Sequence, residues 1–172
     1  MFESGETMTI RKAKEQDLSV IMDIFHQAKL FMRENGNQNQ WSDQYPSREL
    51  VLKDISNKNC YVVEECGQVH GVFSYIEGED PTYRTIYEGT WNYQGSYGTI
   101  HRIASDGILS GITAYCFDFC LQSLPYLRID THRDNIPMQV ALERYGFAKC
   151  GQIYISDGSE RTAYDYMKKI LK

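Results

Sequence analysis

The sequence has no long basic run and no apolar segment of the length that crosses a bilayer. A membrane-spanning helix needs about 20 consecutive apolar residues, and no stretch of the chain approaches that length. Lys and Arg number 18 against 23 Asp and Glu, so the net charge is -5. Because phosphate binding needs clustered Lys and Arg, we expect no nucleic-acid partner and no membrane partner.

The cysteines are not spaced as they are in zinc sites. Cys60 and Cys66 are separated by five residues, and Cys116 and Cys120 by three, whereas zinc ligands are commonly separated by two. The four histidines are also scattered along the chain. We therefore expect no metal. The odd count of five cysteines is typical of reduced thiols, which predicts a cytoplasmic protein.

Repeats and linkers are also missing from the sequence. A chain of 172 residues is of ordinary single-domain size and long enough to bury a core. Residues 1–7 are short, polar and acidic, unlike a signal peptide, so they are predicted to be a flexible tail. Met8 begins the first patterned segment. A single domain is therefore predicted over residues 8–172.

Hydrophobic periodicity and turn residues predict an alternation of helices and strands. The central strand-helix-strand unit requires parallel strands, and the flanking hairpins require antiparallel ones. The predicted fold is α/β of the mixed α+β kind, with a central, mostly antiparallel sheet of about seven strands flanked by four helices. The predicted elements are strand 8–12, helices 14–33 and 47–56, strands 60–65, 69–77 and 99–105, helix 112–122, strand 127–131, a helix between Asn135 and Gly146, and strands 148–155 and 161–167.

The stretch from Asn135 to Phe147 is the most informative motif. Asn135 is a helix N-cap residue, Pro137 lies in the first turn, and Gly146 ends the helix before Phe147 begins a strand. The apolar positions between them have the spacing of one helix face. These positions are Met138, Ala141, Leu142 and Tyr145.

This stretch resembles the last helix of the GCN5-related N-acetyltransferase (GNAT) superfamily. Two more segments share the resemblance: Ile10–Leu18 is similar to the opening strand and helix of that family, and Ile100–Asp106 to its cofactor-binding strand. The three occur in the family's order, and the resemblance covers about residues 8–170. The resemblance implies an acyl-CoA N-acyltransferase fold that uses acetyl-CoA (coenzyme A) as co-substrate.

The turn before the helix at 112–122 is the predicted cofactor site. A Gly turn leading into a helix leaves backbone N–H groups free for a diphosphate. The turn is about two residues shorter than the family's, lacks its Arg or Gln, and has Thr113 in place of a second small residue. The resemblance implies pantetheine contacts from Ile103 and Ser105 and a contact from Asn135. The predicted cofactor-binding residues are Ile103, Ser105, Ile108, Leu109, Ser110, Gly111, Ile112, Thr113 and Asn135.

Acetyl transfer to an amine requires removal of a proton from the nitrogen and a proton for the leaving thiolate. His101 and His132 are the predicted catalytic bases, with Asp134 beside His132. In many members of the family that this chain resembles, a Tyr protonates the thiolate, and the matching position here is Leu142. Tyr145 aligns with a position that is leucine in the family that this chain resembles, which favours a role for its ring in the core. Another group or water supplies the proton, or the protein is a weak catalyst.

Aromatic residues concentrated in two polar segments form the predicted acceptor site: Trp41, Tyr83, Tyr87 and Trp91. Anchoring of long loops is an equally good interpretation of the same residues. The segment from Gly78 to Gly98 is too long for a plain hairpin loop, which indicates a functional role or a homodimer contact. The resemblance implies an N-acetyltransferase acting on a small-molecule amine. The alternatives are a non-catalytic acyl-CoA-binding or sensing domain and an acetyltransferase acting on a protein N-terminus or Lys.

Overall fold

A computed structural model describes residues 7–170 of the chain. The predicted tail falls, apart from Thr7, outside the described residues. Within the described range the chain forms one sheet of seven strands with four α-helices, which confirms the predicted mixed sheet. None of these helices is long and apolar enough to cross a membrane.

All the predicted elements are present, and their ends differ from the predicted ones by a few residues. The first helix differs most, because its predicted first turn is a separate 3-10 helix. The strands are β1 (Thr9–Lys12), β2 (Cys60–Glu65), β3 (Gln68–Glu77), β4 (Gly98–Ser105), β5 (Tyr126–Thr131), β6 (Ala148–Tyr154) and β7 (Glu160–Met167). The helices are α1 (Leu18–Glu34), α2 (Arg48–Ser56), α3 (Ile112–Cys120) and α4 (Ile136–Tyr145), with 3-10 helices at Glu15–Asp17 and Pro81–Tyr83.

The sheet has the order β1-β2-β3-β4-β5-β7-β6, and β4 and β5 form its parallel pair. Their ladder contains two residue pairs, Gly98 with Leu127 and Thr99 with Arg128. Beyond these pairs the two strands separate. The β5-facing edge of β4 from residue 100 onward therefore lacks a ladder partner within residues 7–170, and its backbone groups remain open to other partners.

Helices cover both faces of the sheet. Val62 and Val63 are adjacent on β2 and point to opposite faces, as strand geometry requires. Val62 packs in a cluster with α1 and α2, and Val63 packs in a cluster with α3 and α4. The loop between β3 and β4 closes a third cluster, in which Tyr83 and Trp91 are buried against β6 and β7. The helices and the loop leave a gap between β4 and β5 uncovered.

Four cysteine thiols lie in the interior of the described chain. Cys60, Cys116, Cys120 and Cys150 are buried and are not in disulfides. Burial raises the pKa of the Cys60 and Cys150 thiols to about 12, so both remain protonated near neutral pH. These cysteines act as small core residues.

The anchoring of α4 to the sheet depends on Leu142, which is 0% exposed. Replacement of Leu142 by Ala leaves a cavity, so we expect the free energy of unfolding to fall by about 2–5 kcal/mol. Val140 on the same helix is 45% exposed and is the matched control. Val140→Ala should change the free energy of unfolding by less than about 0.5 kcal/mol. Urea denaturation measures both, and equal losses would contradict the packing described for α4.

Candidate functional site

Two adjoining cavities lie along β4, and one of them extends into the gap between β4 and β5. The α3 cavity has a volume of about 260 Å³ and is bounded by the end of β4, the start of α3, α1 and α4. The β5 cavity has a volume of about 640 Å³ and is bounded by β4, β5, the segment 38–42 and the β6–β7 turn. The residues that line both cavities are Met32, Ile103, Asn135 and Met138. A molecule extending through both would pass along the open edge of β4.

The start of α3 has the backbone geometry of an anion site. Gly111 precedes the helix with a φ of +78°, a left-handed conformation that glycine adopts without strain. The N–H groups of Ile112, Thr113 and Ala114 have no hydrogen-bond acceptor in the part of the chain that the structure describes. The N-terminal end of a helix carries partial positive charge. These groups fit a diphosphate.

The turn before α3 is held by Asp106. Its Oδ1 accepts the Ile108 N–H at 3.0 Å, and its Oδ2 lies 2.8 Å from His70 Nδ1. His70 and Asp106 are largely buried, with side chains 10% and 11% exposed. The conformation of the turn is therefore set by a side chain and does not use the free N–H groups of α3.

The predicted cofactor residues divide into two groups. Ile103, Ser105, Ile112, Thr113 and Asn135 line the α3 cavity, whereas the other predicted residues form the turn that leads into α3. Asn135 also caps α4, accepting the Met138 N–H at 3.2 Å, as its position predicts. The turn residues are Ile108, Leu109, Ser110 and Gly111.

A bulge in β4 shapes the wall between the cavities. Val72 pairs with Ala104 and Ser74 with His101, so β4 has one residue more than β3 over this interval. Arg102 lies in the bulge with a φ of +52°. Its guanidinium donates to Asp54 Oδ2 from Nη2 at 2.6 Å and from Nε at 3.1 Å. Arg102 is thus neutralised by a buried carboxylate.

His101 lines the β5 cavity and is paired with a carboxylate. Its Nε2 lies 3.1 Å from Asp80 Oδ2, and Asp80 Oδ1 accepts the Thr82 N–H at 2.9 Å. The hydrogen bond from His101 is the largest cause that holds the pKa of Asp80 below its usual value. Because an ionised carboxylate only accepts hydrogen bonds, we assign the ring proton to Nε2. His101 Nδ1 then remains an acceptor without a partner among residues 7–170.

His132 lies elsewhere. Its Nδ1 accepts the backbone N–H of Asp134 at 3.1 Å, while the Asp134 carboxylate is 3.5 Å away. Burial lowers the pKa of His132, so the ring is mainly neutral near pH 7. His132 is not among the described residues that line either cavity. Across residues 7–170, no three His, Cys, Asp or Glu residues are grouped in a way that would hold a metal ion.

The predicted acceptor residues do not converge on one cavity. Trp41 lines the β5 cavity. Tyr83 is buried and donates from its hydroxyl to Asp130 Oδ2 at 2.6 Å, and burial raises its pKa, so the phenol remains a donor. Trp91 Nε1 donates to the Tyr83 carbonyl at 3.1 Å, which anchors the loop. Tyr87 is half exposed and packs against Tyr154, away from both cavities.

Neither Leu142 nor Tyr145 offers a proton at the cavities. Leu142 is buried in the core. The Tyr145 hydroxyl donates to Asp118 Oδ1 at 2.5 Å, and its ring packs against Phe117, Phe147 and Tyr166. Burial is the largest cause that raises the pKa of Tyr145. These contacts fit the core interpretation of Tyr145.

Three residues of the β5 cavity were missed by reasoning from the sequence: Asp130, Thr131 and Arg161. Asp130 and Thr131 end β5, and Arg161 is the second residue of β7. Pairing of Thr131 with Thr162 brings the two strand ends together. No local spacing signals this meeting, because about thirty residues separate the two strands in the chain.

Comparison with solved structures gives consistent matches. An acetyltransferase of the GNAT family from Streptococcus agalactiae is 33% identical, with a TM-score of 0.81, and the alignment covers 95% of this chain and 96% of that chain. The yncA structure from Salmonella typhimurium, solved with its cofactor acetyl-CoA, is 16% identical with a TM-score of 0.58 and 95% coverage of both chains. The ribosomal-protein-S18-alanine N-acetyltransferase from Escherichia coli is 13% identical, with a TM-score of 0.59 and coverage of 96% and 97%. Neither a protein-family profile nor a curated protein sequence matches the chain.

The ion pair between Arg102 and Asp54 should stabilise the bulge strongly. The two side chains are 11% and 9% exposed, and Asp54→Asn would leave the guanidinium buried without a countercharge. We expect a loss of about 3–5 kcal/mol in the free energy of unfolding. Asp43→Asn is the control, because Asp43 pairs with Arg33 at the surface and is 86% exposed. A loss for Asp54→Asn no larger than that of the control, by chemical denaturation, would refute this role.

Proposed function

Since this chain belongs to the GNAT family of acetyltransferases, we propose that it transfers the acetyl group of acetyl-CoA to the amine of a small-molecule acceptor. One observation carries the proposal: the two cavities share a wall along β4, with free helix N–H groups in one and a paired histidine in the other. That arrangement supports a thioester donor in the α3 cavity and an amine in the β5 cavity.

The residues of the α3 cavity fit acetyl-CoA. The free N–H groups at Ile112, Thr113 and Ala114 would hold the diphosphate, and this binding needs no Arg or Gln in the turn. The open edge of β4 at Ile103 and Ser105 would exchange hydrogen bonds with the pantetheine amides. When bound, acetyl-CoA supplies an acetyl thioester whose C–S bond breaks as the N–C bond of the product forms.

His101 is the proposed general base. An amine with a pKa near 10 is neutral in about one molecule per thousand at pH 7, which corresponds to about 4 kcal/mol. His101 Nδ1 would take the proton, directly or through water, while Nε2 remains bound to Asp80. Asp80 holds the ring in the required tautomer and stabilises the imidazolium that forms.

A small acceptor is favoured by the enclosure of the β5 cavity. Its rim is formed by the segment 38–42 and by the β6–β7 turn at residues 155–157. Gln40 ties the segment 38–42 to α4 and to β7, because its side chain accepts from Asn135 Nδ2 at 2.9 Å and its carbonyl accepts from Arg161 Nη2 at 3.1 Å. A folded protein acceptor needs a groove that is open at its ends. A pocket of about 640 Å³ is of ordinary size for a small ligand.

A second candidate function is a non-catalytic acyl-CoA-binding domain. Leu142 in the core leaves α4 without a proton donor for the thiolate, which favours this alternative. A binding domain would hold acetyl-CoA and release no CoA with any amine. A thiol-release assay against amines and peptides separates the two, and it also tests an acceptor that is a protein N-terminus or Lys.

Binding of acetyl-CoA should depend on the charge at position 113. Thr113→Asp places a carboxylate among the free N–H groups, so we expect affinity to fall at least 10-fold through repulsion of the diphosphate. Thr113→Asn has nearly the same shape without the charge and should change affinity much less. The melting temperature of the free Asp variant should not fall, because acidic residues stabilise a helix start. Calorimetric titration that shows no heat with the wild type, or equal affinity for both variants, would contradict the assigned site.

Catalysis should depend on His101 and not on His132. We expect His101→Gln to reduce kcat about 10²- to 10⁴-fold at pH 7 with acetyl-CoA affinity retained, because a positioned base is lost. His132→Gln is the matched control and should stay within about 3-fold, because His132 does not line the β5 cavity. Thiol-release kinetics from pH 6 to 9 measure both. If the His101→Gln variant keeps full activity across that pH range, His101 is not the base.

A further inference from the structure

Arg161 is a buried cation that forms no ion pair with any residue in the described part of the chain. It is 4% exposed and lines the β5 cavity at the start of β7. Its Nη1 donates to Ser159 Oγ at 2.9 Å and to the Glu160 carbonyl at 3.0 Å, and its Nη2 donates to the Gln40 carbonyl at 3.1 Å. All three acceptors are neutral. Of the five N–H groups of a guanidinium, the Nε–H and one Nη2–H have no acceptor within residues 7–170.

The other two buried arginines differ from Arg161. Arg102 is paired with Asp54. Arg128 lies between ring faces, with its guanidinium carbon 4.2 Å from the centroid of Trp91 and 4.1 Å from that of Tyr97. A buried charge is costly unless another group compensates it. Arg161 therefore has the character of a group that awaits an anion.

Nearby acidic side chains of the described chain do not form an ion pair with Arg161. The Ser159 hydrogen bonds are the main cause that lowers the pKa of Asp157, and the charge of Arg161 adds to them from beyond ion-pair distance. Asp157 in the β6–β7 turn is exposed, and its Oδ1 accepts the Ser159 N–H at 2.8 Å and the Ser159 hydroxyl at 2.6 Å. Asp130 accepts the Tyr83 hydroxyl instead. Neither forms an ion pair with Arg161 in the described structure.

A second unsatisfied polar group lines the same cavity. Thr131 is 1% exposed, and its Oγ1 has no hydrogen-bond partner among residues 7–170. Thr131 pairs with Thr162, the neighbour of Arg161 in the chain. A buried hydroxyl without a partner is uncommon in folded proteins. Because neighbouring residues of a strand point to opposite faces, Thr131 shares the face of Thr162 and not that of Arg161. Thr131 therefore does not share a ligand atom with Arg161.

A negative charge that could bind the amine of a ligand lies on Asp130, in the same pair of strands, β5 and β7. Asp130 pairs with Ala163, and Ala163 is two residues from Arg161, so the three share one face of the sheet. Residues two apart on a strand are separated by about 7 Å. A carboxylate and a guanidinium thus lie across a short span of the cavity, with His101 on the facing strand β4.

We infer that the acceptor is an amino acid whose carboxylate binds Arg161 and whose amine faces Asp130 and His101. This inference rests on the proposed function and names its substrate class. A carboxylate is favoured over a phosphate because a single guanidinium offers one positive charge, and the acidic Asp130 and Asp157 in the same wall disfavour a dianion. The planar fork of an arginine also matches the two oxygens of a carboxylate.

The test compares each of the twenty amino acids with its carboxamide, which keeps the amine and removes the negative charge. Phosphoethanolamine, spermidine and short peptides complete the panel. Thiol release gives kcat/KM, and the melting temperature with CoA present reports acceptor binding independently. We expect at least one amino acid to exceed its carboxamide roughly 10- to 100-fold, the usual effect of a hydrogen-bonded charge pair.

Variants assign the preference to Arg161. Arg161→Gln should abolish the preference for an amino acid over its carboxamide, and Arg161→Lys should retain part of that preference. Arg144→Gln removes an exposed arginine on α4 and should leave the preference unchanged. If Arg161→Gln does not fold, the comparison of amino acids with carboxamides in the wild type and in the Arg161→Lys variant still decides.

The outcomes separate this inference from the proposed function. Equal activity with amino acids and carboxamides, or activity only with spermidine, peptides or phosphoethanolamine, would overturn the inference while leaving an acetyltransferase. A preference that survives in a folded Arg161→Gln would overturn it as well. An amino acid that raises the melting temperature through Arg161 without any thiol release would support the carboxylate site and refute the enzymatic function.

Discussion

The short ladder between β4 and β5 is the constraint on which the rest of this molecule depends. Two residue pairs join the strands, and beyond them the sheet opens. A parallel pair of full length would satisfy the backbone of β4 and leave no room between the strands. The open edge is therefore both the wall of two cavities and a row of unused hydrogen-bonding groups. An extended ligand with amides is the natural partner for such an edge.

Two buried charges with different partners flank this opening. Arg102 is held in the β4 bulge by Asp54. Because His101 is its neighbour on β4, the ion pair also fixes the backbone beside His101. Arg161 on the other side has only neutral acceptors. Both are costly to bury, but only the first is compensated within the described chain. Arg102 therefore stabilises the structure of the site, whereas Arg161 remains able to bind a ligand.

The loop between β3 and β4 combines anchoring with chemistry. Tyr83 and Trp91 bury their rings against β6 and β7, which fixes a long segment that would otherwise be mobile. That anchoring places Asp80 against His101 and puts the Tyr83 hydroxyl on Asp130. The aromatic residues thus act on the cavity mostly through the carboxylates they position. Trp41 alone among the four predicted aromatic residues lines the β5 cavity itself.

Local sequence determined the elements of this protein, because helix caps, turn glycines and apolar periodicity act within a few residues. The N-cap at Asn135, the end of α4 at Gly146 and the free N–H groups after Gly111 all follow from such rules. Tertiary structure alone decided which side chains meet. Asp80 joins His101, and Arg161 shares a face of the sheet with Asp130, through pairings between distant segments. It also separated His132 from the cavity and buried Leu142, since strand register and packing depend on the whole chain and not on its local pattern.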